Sequence, residues 1–259
     1  MQVATILPTA YLDLIKDRPY HMALAHLLGK DTDYATFYTD RAREGKFVIL
    51  DNGVIETGKP MHIERVVEIA CHMGAQEIIL PDVIEDANAT LDAACEAIEY
   101  ARKHYDGKLM GVPQGETLND WIDCARHMLE LDVDTIGIPK RLTKIGGRDG
   151  RLGALFDLGW LLRGREVHLL GCWENPIECT MIARAAQTKL IVPIRGVDSA
   201  IPYVYARESM LISHGPRPSG AVDFSAHDAD RDILVRNIQI WEDSAEFGVK
   251  DENGLVRLQ

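Results

Sequence analysis

Phe47-Val48-Ile49-Leu50-Asp51-Asn52-Gly53 is an unbroken apolar run that stops on a polar, glycine-bearing turn. The pattern recurs at nearly even spacing. Ile78-Ile79-Leu80 leads into Pro81-Asp82, and Leu109-Met110-Gly111-Val112 into Pro113-Gln114-Gly115. Thr135-Ile136-Gly137-Ile138 leads into Pro139-Lys140, Val167-His168-Leu169-Leu170 into Gly171-Cys172, and Ile194 through Val197 into Asp198. Aliphatic runs without polar alternation indicate strands buried on both faces. Their separation, roughly 30 residues, is the length of one βα unit. Val3–Leu7 and Met22–Leu27 supply two more candidate strands, although Ala23-Leu24-Ala25-His26 equally starts a helix. Eight strands predict an α/β fold, a single (β/α)8 TIM barrel over residues 1–259, with strand eight near Ile194–Val197.

The segments between the runs read as helices. Ile63–His72 spaces its apolar residues by three and four, Ala87–His104 is alanine-rich, and Thr117–Leu131 opens with a capping threonine. Asn175-Pro176 starts another helix through Ala186, and Asp228–Phe247 reads as a terminal helix with Ile233, Ile240 and Trp241 on its apolar side. His214 to Gly220, rich in glycine and proline, reads as a loop.

Composition narrows the class. At 259 residues and 46% hydrophobic, the chain can bury one sizeable core. No window approaches a membrane span, and Met1-Gln2-Val3-Ala4 does not open a signal peptide. Five cysteines without close pairing point to a reducing compartment, and the expected location is cytoplasmic. Cys71, Cys95, Cys124 and Cys179 fall in helical segments as core or surface thiols; Cys172 follows a strand end and reads as a core thiol or a site wall. No Cys/His cluster suits a structural zinc, so no metal or cofactor is expected. The net charge of −12 opposes nucleic-acid binding by the whole surface. Lys140, Arg141, Lys144, Arg148, Arg151, Arg163 and Arg165 nonetheless crowd one stretch, against Asp149 and Asp157. That stretch is either a solvated face or a phosphate-facing patch.

In parallel α/β folds chemistry sits at the carboxyl ends of the strands. Those ends carry Asp51, Asp82, Gln114 and Asp198. A single aspartate after a strand is ordinarily a helix cap or turn residue. Three at corresponding positions, with a glutamine, suit either a cation or a substrate rich in N–H donors. Ionised carboxylates only accept hydrogen bonds, and glutamine can donate to a carbonyl, so the set complements guanine's Watson–Crick face. His168, inside a strand, reads as a core histidine, and Trp173 as a cap on the barrel.

These residues also resemble the tRNA-guanine transglycosylases, barrel enzymes that exchange guanine for a 7-deazaguanine. Asp51-Asn52-Gly53 resembles the turn bearing the family's general acid/base, and Asp82 its base-recognising aspartate. Gly111-Val112-Pro113-Gln114-Gly115 is similar to its glycine-x-x-glutamine-glycine motif, and Ile136-Gly137-Ile138 to the turn whose backbone N–H meets the same base oxygen. Leu169-Leu170-Gly171 resembles one wall of the base slot, and Asp198-Ser199-Ala200-Ile201-Pro202 the nucleophile motif. The likeness spans about residues 47–207. Ile55 replaces the usual stacking aromatic, Ile84 a common cysteine, and the zinc insertion and appended RNA-binding domain are absent. Relatives encoded in phages and genomic modification islands, which insert 7-deazaguanines into DNA, diverge in comparable ways.

The resemblance implies a pentosyltransferase that replaces guanine in a polynucleotide, DNA rather than tRNA, with a preQ0-like 7-deazaguanine. Asp198 attacks the sugar C1′, and Asp51 protonates the leaving base and deprotonates the entering one. Both carboxylates are expected to be largely ionised before attack. Asp82, Gln114, Gly137, Leu170 and Gly171 hold the base, while Lys140, Arg141, Lys144, Arg148 and Arg151 grip flanking phosphates. A base in a duplex must first be flipped out. A homo-oligomer is compatible with this reading. The alternatives are a tRNA-specific enzyme, a noncatalytic partner subunit (against which the presence of both Asp51 and Asp198 speaks), or a lyase or hydrolase holding Mg²⁺ between Asp51, Asp82 and Asp198.

Overall fold

The computed structural model describes residues 1–147, 150–172, 176–212, 218 and 222–246. Its strands are β1 (Gln2–Thr5), β2 (Tyr20–Leu24), β3 (Phe47–Asp51), β4 (Glu77–Ile79), β5 (Lys108–Gly111), β6 (Thr135–Pro139), β7 (Glu166–Leu170) and β8 (Gly196–Ser199). They form one parallel sheet in the order β1-β8-β7-β6-β5-β4-β3-β2, and β1 lies beside β2. Helices alternate with the strands, so the sheet is a nearly closed (β/α)8 barrel with the C-terminal helix Arg231–Glu246 packed outside it. Among the described residues no helix is long and apolar enough to cross a membrane.

Three strands are displaced from the sequence expectation. The first, Gln2–Thr5, stops short of Leu7. The second begins at Tyr20, paired with Phe47, and ends at Leu24, whose N–H donates to the Tyr34 hydroxyl (3.0 Å); a helical turn, Ala25–Leu28, follows. The eighth starts at Gly196 rather than Ile194. Pro193 lacks an N–H for the ladder, so regular pairing begins only beyond it. Asp198 therefore lies inside β8, opposite Ala4 of β1, instead of after the strand.

The helices cover the barrel with narrow apolar faces. Ile63–Met73 buries Val66, Val67, Ala70 and Met73, one stripe of a helix. Asp31 and Asp86 cap their helices by accepting from Tyr34 N and Ala89 N, and Thr117 closes a capping box with Asp120 before Leu118–Glu130. In the last helix Trp241 is fully buried, with Ile233 and Ile240 packed part-buried against the core. Asn175, Phe247, Trp173 and most of the loop from His214 to Gly220 lie outside the described residues.

Within the barrel the strand alternation stacks side chains in layers. The floor, at the amino ends of the strands, is ionic. Arg195, just before β8, bonds Glu77 of β4 and Glu166 of β7 (2.6 Å), while Lys108 of β5 also reaches Glu166 (2.6 Å) and Thr135 of β6 donates to Glu77 (2.6 Å). The opposite end, where the strands finish, is open.

Candidate active site

At the carboxyl ends of the strands lies a cavity of about 400 Å³, within the range of small-molecule sites. Asp51, Asp82, Gln114, Leu170, Gly171 and Asp198 all line it, together with Cys172, Glu56 and Phe224. Helix capping is supplied elsewhere, by Asp31, Asp86 and Thr117, which leaves the strand-end carboxylates facing the cavity.

Asp198 is held by one oxygen. Its Oδ1 accepts from the Gly171 backbone N–H (3.1 Å) and lies 3.1 Å from His168 Nε2. Its Oδ2 makes no hydrogen bond among the described residues. Gly171 reaches this position in the left-handed backbone region (φ +67°), where a side chain is strained. Its carbonyl in turn accepts from Arg151 (3.0 Å).

Asp51 closes an Asx turn, its Oδ2 accepting from Gly53 N at 2.8 Å. Burial, and next the charge of Glu56, push Asp51 up to about 8, with smaller contributions from Asp198 and Asp82. This shift favours the protonated acid, contrary to the expectation of two ionised groups. Glu56, on the one-turn helix Val54–Thr57, is itself raised, first by burial and then by Asp198, and is lowered in part by Lys140. Nothing in the short turn sequence singled it out.

Asp82 and Gln114 meet directly. Gln114 Nε2 donates to Asp82 Oδ2 at 2.6 Å, and Asn52 Nδ2 donates to Asp82 Oδ1 (2.8 Å) and to Leu80 O (2.8 Å). Burial raises Asp82, opposed by these two amides. Among the described residues the carboxylates do not converge as a group able to hold a metal.

Two of the expected assignments are corrected by the packing. Gly137 does not line the cavity; it lies within β6, and a Cβ there would come 2.8 Å from Leu170 Cδ1 and 3.0 Å from Val112 Cγ2. Its role is to leave room for the Leu170 wall. Arg151 cannot face phosphate, because it is fully buried. Its guanidinium binds Glu178 (2.8 Å) and the carbonyls of Ile138, Leu170 and Gly171, fastening the ends of β6 and β7.

The rest of the basic stretch is divided. Lys140 lines the cavity, Lys144 is exposed, and Arg141 pairs with Glu85. Arg163 and Arg165 precede β7 and sit toward the floor, where Arg165 donates to Leu129 O and Val133 O. Arg148 lies outside the described residues. Cys172 is both buried and part of the cavity wall.

His168 is the functional candidate that the sequence pattern does not disclose. It is fully buried, as a core histidine should be, yet it touches the Asp198 carboxylate. Its period-two spacing from Leu170 places it on the inward face, but only its partners reveal the pairing. No protein-family model matches this chain, and a search of curated proteins finds no match.

Proposed function

We propose that this protein is a base-exchange transglycosylase that replaces guanine in DNA with a 7-deazaguanine through an aspartyl-glycosyl intermediate. One arrangement carries the reading: a single cavity holds the Asp198 carboxyl group, whose Oδ2 makes no hydrogen bond among the described residues, and the Asp51 carboxyl group, which burial and Glu56 push up to about 8. That is the pairing of nucleophile and acid that displacement at a sugar carbon needs. Asp198 Oδ2 bonds to C1′ as the C1′–N9 bond breaks; the electron pair goes to the base, and Asp51 supplies the proton. The entering base gives its N9 proton back to Asp51 and attacks C1′, and the C1′–Oδ2 pair returns to Asp198.

Each oxygen of Asp82 accepts one amide hydrogen bond and keeps a lone pair, and Gln114 keeps a second N–H. These groups suit a base with adjacent ring N–H, amino and carbonyl functions. Lys140, Arg141 and Lys144 at the rim suit the flanking phosphates. DNA rather than tRNA follows from the resemblance to the DNA-inserting relatives.

The test incubates the protein with a 7-deazaguanine base and a guanine-containing single-stranded DNA, duplex DNA or tRNA, then analyses nucleosides by mass spectrometry. Deazaguanine is expected in DNA, with activity surviving EDTA. Incorporation into tRNA alone would correct the substrate, activity lost on chelation would favour the Mg²⁺ alternative, and no incorporation into any of them would overturn the reading.

A further inference from the structure

Beneath Asp198 a hydrogen-bonded chain runs down the barrel axis to the ionic floor. Arg195 Nε lies 3.1 Å from the Tyr20 hydroxyl, and that hydroxyl lies 2.9 Å from His168 Nδ1. His168 Nε2 then lies 3.1 Å from Asp198 Oδ1. A guanidinium only donates, so the Tyr20 oxygen must accept from Arg195. Burial holds the Tyr20 phenol far above its ordinary value, against the lowering pull of Arg195, so the phenol keeps its hydrogen. That hydrogen has His168 Nδ1 as its acceptor. The ring proton therefore sits on Nε2, where it faces the carboxylate.

The arrangement is built into the strands. His168 and Gly196 are register partners on β7 and β8, and Asp198 follows two residues later on the same face. A Cβ at Gly196 would come 2.7 Å from Tyr20 Cε1, so the glycine makes the space through which Tyr20 crosses the barrel. Arg195 is anchored by Glu77 and Glu166, and its guanidinium lies over the rings of Tyr20 and Phe47 (5.8 and 5.1 Å). Core packing alone would be served by an apolar side chain in place of His168.

We infer that His168 is a positioning residue for Asp198, locked by Tyr20 and Arg195 as the Nε2–H tautomer so that it holds Oδ1 and turns Oδ2 toward the sugar. The inference rests on the reading of Asp198 as nucleophile. Two donors, His168 and Gly171, converge on Oδ1. When Oδ2 forms the bond to C1′, Oδ1 becomes the ester carbonyl; when the entering base displaces Asp198, charge returns to the carboxylate against those same donors. His168 therefore acts on both half-reactions without touching substrate.

The experiment pairs kinetics with spectroscopy. Gln places an amide N–H near the Nε2 position, whereas Leu removes the donor. His168→Leu is expected to slow adduct formation on a guanine-containing DNA oligonucleotide by about 100-fold, the scale of a lost hydrogen bond to a charged group. His168→Gln is expected to recover to within about tenfold of wild type, and Tyr20→Phe to fall between the two, since it leaves the donor but frees the tautomer. KM for the oligonucleotide and affinity for free guanine should stay unchanged, a split that general loss of structure would not give. In ¹⁵N-histidine NMR the wild-type resonance missing from His168→Gln should report the Nε2–H tautomer. An Nδ1–H tautomer, or a wild-type rate in His168→Leu or in Tyr20→Phe, would overturn the inference. Absence of any adduct in the wild-type protein would instead overturn the transglycosylase reading, and the hydrogen-bond order would then stand or fall on the NMR result alone.

Discussion

The two ends of this barrel treat their carboxylates in opposite ways. At the floor each acid meets a cation: Glu77 binds Arg195, and Glu166 binds both Arg195 and Lys108. Burial works to raise Glu166, but its hydrogen bonds to Lys108 and Arg195 prevail and hold it below the ordinary range. At the mouth the partners of Asp51, Asp82 and Asp198 are amides, backbone N–H groups and a histidine. Arg151 is close by, yet it is spent on Glu178 and three carbonyls. Asp51, Asp82 and Glu56 rise accordingly. Cations thus pair with the floor acids directly, whereas the mouth aspartates are held by amides, backbone N–H groups and a histidine, with Lys140 in the same cavity wall lowering Glu56. This division matches the general separation of stability and chemistry between the ends of such barrels.

The largest effect that would break the comparison lies at the floor. Glu77 has no solvent exposure, so Glu77→Gln leaves part of the Arg195 charge uncompensated. Loss of one partner of a buried pair costs about 3–5 kcal/mol, readable as a fall in denaturation midpoint. A midpoint within error of wild type would mean the floor is not the stabilising end.

Asp51 sharpens the contrast from the mouth. Its folded pKa of about 8 stands above the unfolded carboxyl value, so the folded state binds the extra proton between those limits. Stability from this group is therefore present at low pH and lost as pH rises from about 4 to about 8. Asp51→Asn should gain in melting temperature over wild type as pH rises through that window, while slowing exchange by about 100-fold or more, as loss of a general acid does. Wild-type exchange should decline as pH passes about 8. A melting difference independent of pH would contradict the raised value.

The smallest effect concerns the rim. Charge reversal at Lys140 and Lys144 should weaken oligonucleotide binding and reduce the slope of log affinity against log salt by about one for each phosphate no longer neutralised. Free-base affinity should not change on Lys144→Glu. An unchanged slope would make these residues ordinary surface.

The fold was legible because parallel strands buried on both faces leave uninterrupted apolar runs, and those runs end where the chemistry can sit. The mouth carboxylates were legible for the same reason, since a strand end fixes which way its last residues face. What failed to read out depends on distant partners. Arg151 belongs to a basic run along the chain, and only the folded chain brings it to Glu178 and the ends of β6 and β7. Only the family resemblance implies Gly137 as a backbone donor; in the fold it lies mid-strand, and its constraint is the volume of Leu170 on the next strand. His168 sat among aliphatic residues, and its meaning comes from Tyr20, 148 positions away, and Asp198, 30 positions away.

In the proposed reaction Asp198 attacks C1′ through Oδ2, the oxygen that makes no hydrogen bond among the described residues. The most direct measurement incubates the protein with a guanine-containing DNA oligonucleotide, quenches in denaturant and determines the intact mass of the protein. Wild type is expected to carry one oligonucleotide less its guanine, mapped by peptide analysis to Asp198, and Asp198→Asn, which keeps the shape but not the anionic nucleophile, is expected to carry none while still binding free guanine. An adduct on Asp198→Asn, or one mapped to another residue in wild type, would contradict the assignment.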